Sequence, residues 1–125
     1  LLLHRDQQGC RKCHEGIDPW GLPFEQFDAG GIWKKNASEI GSQSTLPDST
    51  EVDGFLALRE YLANERIDQV AFSFLKHMTT YAVGRSLSYN EIETLKEKQL
   101  QLKADGYRMR NMVRFIVTSQ SFLEK

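Results

Sequence analysis

A five-residue string near the start of the chain, Cys10-Arg11-Lys12-Cys13-His14, constrains this sequence more than any other feature. It contains both cysteines of the 125-residue chain. On a helix, positions 10, 13 and 14 share one face while Arg11 and Lys12 turn toward solvent. Two thiols and an imidazole presented together are what covalent haem attachment needs. Each thiol adds to one vinyl group of the porphyrin, and the histidine directly after the second cysteine binds the iron as its proximal ligand. The expected cofactor is therefore haem c, held through Cys10 and Cys13, with His14 on the metal. Such an anchor commits the apolar faces of a small chain to wrapping a large flat disc, so folding is expected to be incomplete without it.

Other uses of the string are weaker. A closed zinc site on Cys10, Cys13 and His14 needs a fourth ligand, and no second cysteine pair or paired-histidine spacing follows; the remaining histidines are His4 and His77. A thioredoxin-like redox pair belongs at the end of a strand that opens a helix, and few strand signals lie nearby. Chance occurrence has to contend with the helical character of the rest of the sequence.

Composition sets the frame for that site. With 40% hydrophobic and 26% charged residues, the chain suits one globular domain spanning 1–125. The balance of 16 Lys+Arg against 17 Asp+Glu gives a net charge of -1, which does not call for nucleic acid or an anionic membrane as partner. The apolar run from Met112 to Val117 is short and broken by Arg114, so nothing approaches the length of a membrane span. The sequence starts at Leu1 with no secretory signal, and the expectation is a module cut from a larger exported protein. Haem c is attached outside the cytoplasm, which points to the periplasm or cell surface.

Periodicity predicts an all-α domain of four to five helices around one haem, with a long polar loop. Residues 2 to 16 read as a short helix ended by Gly16. The two prolines and the glycine of Asp18-Pro19-Trp20-Gly21-Leu22-Pro23 then predict a loop, followed by a short amphipathic piece from Phe24 to Asp28. Lys34 to Asp53 is polar, with room for one short hairpin around the Leu46-Pro47-Asp48-Ser49 turn, and is expected to cover the cofactor. Asp53 is the expected N-cap of a helix over 54–64. A second helix runs from about Asp68 to Val83 with Gly84 as its stop, and Ser88-Tyr89-Asn90-Glu91 has the spacing of a capping box opening a third, which ends near Gly106. Tyr107 to about Leu123 completes the set, with Met109, Met112, Val113, Ile116 and Val117 facing inward.

Several strings in order carry a resemblance: His4-Arg5, Ile17-Asp18-Pro19-Trp20-Gly21, Phe24 to Trp33, Leu46-Pro47-Asp48, Tyr81-Ala82-Val83-Gly84-Arg85, and Ile116 to Phe122. With the Cys-x-x-Cys-His motif they resemble the planctomycete-type C-terminal c-type cytochrome domain, of unknown function, also seen as cytochrome modules in polysaccharide-degradation redox proteins. Two departures stand out. Trp20 occupies a position that is more often aliphatic, and Ser49 one where glycine is usual. The resemblance implies a single-haem electron-transfer domain.

The second axial position decides what such a haem does. Methionine there favours an electron carrier, whereas an open position admits peroxide or another small ligand. The polar loop holds no methionine, so the candidates are Met78, Met109, Met112, His77 and His4, each with ordinary core packing or surface exposure as the competing explanation. Met78 is first, because it lies on the inward stripe just before Tyr81-Ala82-Val83-Gly84-Arg85. Arg5, Trp33, Tyr81 and Arg85 are the expected cofactor-binding side chains, suited to solvating or neutralising propionates. His14 is expected to donate its ring N–H to a backbone carbonyl, with Pro19 shaping the loop beneath it. Arg11 and Lys12 offer a positive rim to a partner. The function expected is one-electron relay to or from a redox protein, a fused redox domain or an extracellular oxidative enzyme, without substrate chemistry of its own. The alternative is a peroxidase-like or ligand-sensing domain.

Overall fold

The computed structural model describes residues 9–124, apart from the Ser38 side chain. The described chain is mainly helical, with one small two-stranded sheet. It divides into two compact units that meet in sequence at Glu65 and Arg66.

The first unit is built from short pieces. Helix α1 spans Arg11–Gly21 and passes into a 3-10 turn at Leu22–Gln26. A second 3-10 turn, Ala37–Glu39, leads to strands β1 (Gln43–Thr45) and β2 (Glu51–Asp53), which pair antiparallel with Ser44 opposite Val52. Helix α2 (Gly54–Asn64) closes the unit. Its core is Leu46, Val52 and Leu58, with Trp20, Ala57, Tyr61 and Leu62 packed around them.

Gly16 does not end α1, contrary to expectation, and Pro19 lies inside the helix. Proline removes one N–H from the last turn and disfavours helical geometry in the residue before it. Tertiary contacts outweigh that cost. Trp20 packs on the core and its ring lies 6.4 Å from that of Tyr61, while the Ser44 hydroxyl donates to the Pro19 carbonyl at 2.7 Å.

The start of α2 also differs in detail. Asp53 stands at the N-cap position, as expected, but its side chain makes no capping bond. Gln26 supplies it from a distance, accepting the Phe55 N–H at 2.9 Å and donating to the Ala37 carbonyl at 3.2 Å. Gly54 makes room for this. Its φ is +76°, and a Cβ there would sit 2.6 Å from the Gln26 amide oxygen.

The second unit is made of longer helices: α3 (Ile67–Val83), α4 (Tyr89–Ala104), α5 (Met109–Val117) and the single turn α6 (Gln120–Leu123). Ala71 and Leu75 of α3, Leu102 of α4, and Met112 and Ile116 of α5 form its core. The four-residue spacings Ala71–Leu75 and Met112–Ile116 put each pair on one helical face, and Phe74, Met78 and Ala82 extend the α3 stripe. Gly84 ends α3 in the left-handed conformation, and Ser88 and Glu91 complete a reciprocal capping box at α4. The helix expected over 107–123 is instead two. The Thr118 hydroxyl donates to Arg114 O at 2.9 Å and that of Ser119 to Ile116 O at 2.7 Å, and Ser119 adopts an extended backbone that restarts the chain as α6.

Candidate functional site

The Cys-x-x-Cys-His string opens α1. Cys10 is the N-cap with helical backbone angles, and its carbonyl accepts the amides of Cys13 at 3.2 Å and His14 at 3.1 Å. Helical geometry from Cys10 onward puts Cys10, Cys13, His14 and Ile17 within an arc of about 100° around the axis. Both thiols are free, Cys10 half-buried and Cys13 exposed, and Ile17 is 65% exposed on the same face. Two nucleophilic sulfurs and one nitrogen donor are thereby presented beside an apolar side chain that the fold leaves uncovered. Arg11 and Lys12 point away, as expected, and Arg11 pairs with Glu15 at 2.8 Å one turn on. Among the described residues no three His, Cys, Asp or Glu side chains gather as ligands for a single ion.

His14 has a partner that sequence reasoning missed. Its Nδ1 lies 2.9 Å from Asp18 Oδ1, with both side chains half-buried. The carboxylate replaces the expected backbone carbonyl, because α1 runs on past Gly16 and brings residue i+4 beside the ring. The i,i+4 spacing is visible in the sequence, but it becomes a contact only because the helix continues to Gly21.

The other predicted positions are spread along the chain. Arg5 and His4 lie outside the described residues, as does the expected helical stretch over 2–8. Trp33 is set by a tight turn: Asp28 Oδ1 accepts the amides of Gly30 and Ile32, Gly31 takes a φ of +77°, and residues 27 and 33 form an antiparallel bridge. The Trp33 ring then meets Phe27 edge-on at 5.1 Å, and Phe27 meets Phe55 at 5.0 Å. Trp33 itself remains 44% exposed.

In the second unit Met78 is half-buried against the core, Met112 is buried within it, and His77 is exposed; Met109 and Val117, expected to face inward, are exposed instead, because the inward face of α5 is the narrower one carried by Met112 and Ile116. Tyr81 is 84% exposed. Arg85 grips Glu91 with both terminal nitrogens at 2.9 Å. That guanidinium, with the Ser88 amide and the Ser121 hydroxyl, holds the Glu91 carboxyl well below the usual carboxylate range. Three of the strings noted in the sequence thus converge on one carboxylate, which fixes the junction between α3 and α4. A second carboxylate, Asp68, accepts Tyr107 at 2.7 Å and Lys103 at 2.6 Å; the lysine and the phenol lower it, while burial and Asp68 raise the Tyr107 hydroxyl.

No helix among the described residues is long and apolar enough to cross a membrane. No curated protein and no solved structure matches the chain. Residues 1–37, which carry the cysteine motif, match a family described as a protein of unknown function, DUF1588. Residues 48–122, well over half of the sequence, match another of the same description, DUF1585. Both are planctomycete-type cytochrome c-like domain families, and the chain belongs to the DUF1585 family that its sequence strings resemble.

Proposed function

We propose that this chain is a monohaem electron-transfer module, with haem c joined by thioether bonds to Cys10 and Cys13 and His14 as proximal ligand. The observation that carries this is the arrangement on α1: two free thiols and an imidazole on one helical face, flanked by the exposed Ile17. The donor set fits the group. The thiols suit two vinyl carbons, Ile17 suits an apolar ring face, and engagement of Nδ1 by Asp18 supports Nε2 as the nitrogen that would hold the iron. When bound, haem c supplies a one-electron ferric/ferrous couple.

The chain's own residues do the remaining work. Cys10 and Cys13 tether, and His14 orients and donates. Trp33 lies in the same unit as the cysteine motif and is a candidate for contact at the cofactor edge, whereas Met78, Tyr81 and Arg85 belong to the other unit, where Met78 packs on the core and Arg85 is committed to Glu91. The partner proposed is another redox protein or a fused redox domain. Haem c is attached outside the cytoplasm, which supports the periplasm or cell surface as the module's location.

The test is a pyridine haemochrome spectrum of protein produced with a cytochrome c maturation system. A c-type spectrum that persists through acid–acetone extraction is expected, and its loss in Cys10→Ser with Cys13→Ser completes the assignment. Failure to attach haem overturns the proposal. Rapid cyanide or peroxide binding by the ferric protein would replace relay with the ligand-binding alternative.

A further inference from the structure

We infer that Asp18 is a positioning residue for His14, one that makes the imidazole a more strongly donating iron ligand and lowers the module's reduction potential relative to that of a carbonyl-bonded imidazole. This rests on the proposed haem ligation and adds a residue that the motif does not contain. The contact is direct, His14 Nδ1 to Asp18 Oδ1 at 2.9 Å, within one helix at i,i+4. With iron on Nε2, the proton resides on Nδ1 and the ring N–H donates to the carboxylate.

A carboxylate is a stronger acceptor than the backbone carbonyl, since the hydrogen bond is charge-assisted. The pull on the N–H adds electron density to the ring, strengthens its donation to the metal and stabilises ferric over ferrous iron. Solvent does not erase the effect, because the side chains are only 29% and 21% exposed. Asp18 is also held in place. Its own carbonyl accepts the Leu22 N–H, the next carbonyl, that of Pro19, accepts the Ser44 hydroxyl, and the following side chain, Trp20, packs on the core. Extension of α1 through Pro19 therefore has a functional consequence. A helix ending at Gly16 would leave residue 18 without a fixed place beside the ring.

The step affected is addition of one electron to ferric iron, with no bond made or broken. The test is spectroelectrochemistry of the haem-loaded protein, comparing wild type with Asp18→Asn and Asp18→Glu. Asparagine keeps the shape and an acceptor oxygen but removes the charge. Its ferrous-to-ferric ratio at a fixed electrode potential should rise about tenfold, equivalent to about 59 mV for one electron, while glutamate should stay within about threefold of wild type. An Asn variant within about twofold of wild type overturns the inference, and so does a Glu variant that behaves like Asn.

Should neither variant take up haem, the wild-type iron–imidazole stretching band decides the matter, measured in the ferrous state after photolysis of bound CO. A band at the higher frequency of carboxylate-bonded imidazole supports the inference, and one at the frequency of carbonyl-bonded imidazole overturns it. Wild-type protein that lacks covalent haem overturns the earlier proposal instead, and is recognised before any potential is measured.

Discussion

The two units solve the same problem, covering a small apolar core, by different means. In the unit that begins at Arg66, each helix declares itself locally. Apolar residues repeat at helical spacing, Gly84 stops α3, and the Ser88–Glu91 box starts α4. In the unit that carries the cysteines, the pieces are short and depend on remote side chains: Gln26 caps α2 from 29 residues away, and Ser44 braces Pro19 from 25. Where secondary structure is long, neighbours in sequence satisfy most backbone groups. Where it is short, the ends outnumber the middles, and side chains from elsewhere must satisfy them.

Truncating the cores gives the largest expected effects on that contrast. Leu75→Ala in α3 and Leu58→Ala in α2 should each cost about 2–5 kcal/mol, because the side chains are 0% and 2% exposed. Hydrogen exchange should show protection falling most in the unit that houses the substitution. Uniform loss across the chain for both variants would break the comparison.

A smaller loss is expected at the remote cap. Gly54→Ala places a Cβ against Gln26 and forces a left-handed alanine, costing about 1–3 kcal/mol. Adding Gln26→Ala to that variant should cost little more, since the cap is already displaced. Full additivity in urea midpoints would show that the two residues act separately.

The local caps offer a pH test. Glu91→Gln should cost about 1–2 kcal/mol at neutral pH, combining part of a capping box with a half-exposed ion pair. Because folding lowers the Glu91 pKa, its contribution is complete above the ordinary glutamate value of 4.5 and declines as the pH falls below it. The difference between wild type and variant should therefore narrow as the pH falls from about 4.5 toward 3, as read from thermal midpoints between pH 3 and 7.

The smallest effect is a gain. Ser49 adopts a φ of +70° in the hairpin turn, where its amide donates to Leu46 O at 2.8 Å. Ser49→Gly should stabilise by about 0.5–1 kcal/mol, as relief of the left-handed strain exceeds the added chain entropy. A loss of stability would mean that the serine hydroxyl makes a compensating contact.

The sequence strings that drew attention were legible to different degrees. Leu46-Pro47-Asp48-Ser49 announced its turn, and the departure from glycine at position 49 coincides with the left-handed φ. Phe24 to Trp33 contains a turn that sets Trp33 edge-on to Phe27, which no periodicity could reveal because the Asp28 bonds that hold it are specific to one backbone path. On residue type alone, Arg85 suits a cofactor edge. Its bidentate partner, Glu91, was visible only as half of a capping box, since the turn between α3 and α4 is what brings the guanidinium to it.

What the sequence determined by itself was everything set by short-range spacing: the thiol and imidazole face, the apolar stripes, the glycine stop after α3 and the box before α4. These depend on helix geometry, which is the same wherever a helix occurs. Tertiary structure alone decided how far α1 runs. Pro19 argues locally for a break, and only the packing of Trp20 and the bond from Ser44 carry the helix past it. That extra turn brings Asp18 to His14, so the partner of the proposed iron ligand depends on contacts with a hairpin that lies some 25 residues farther along the chain.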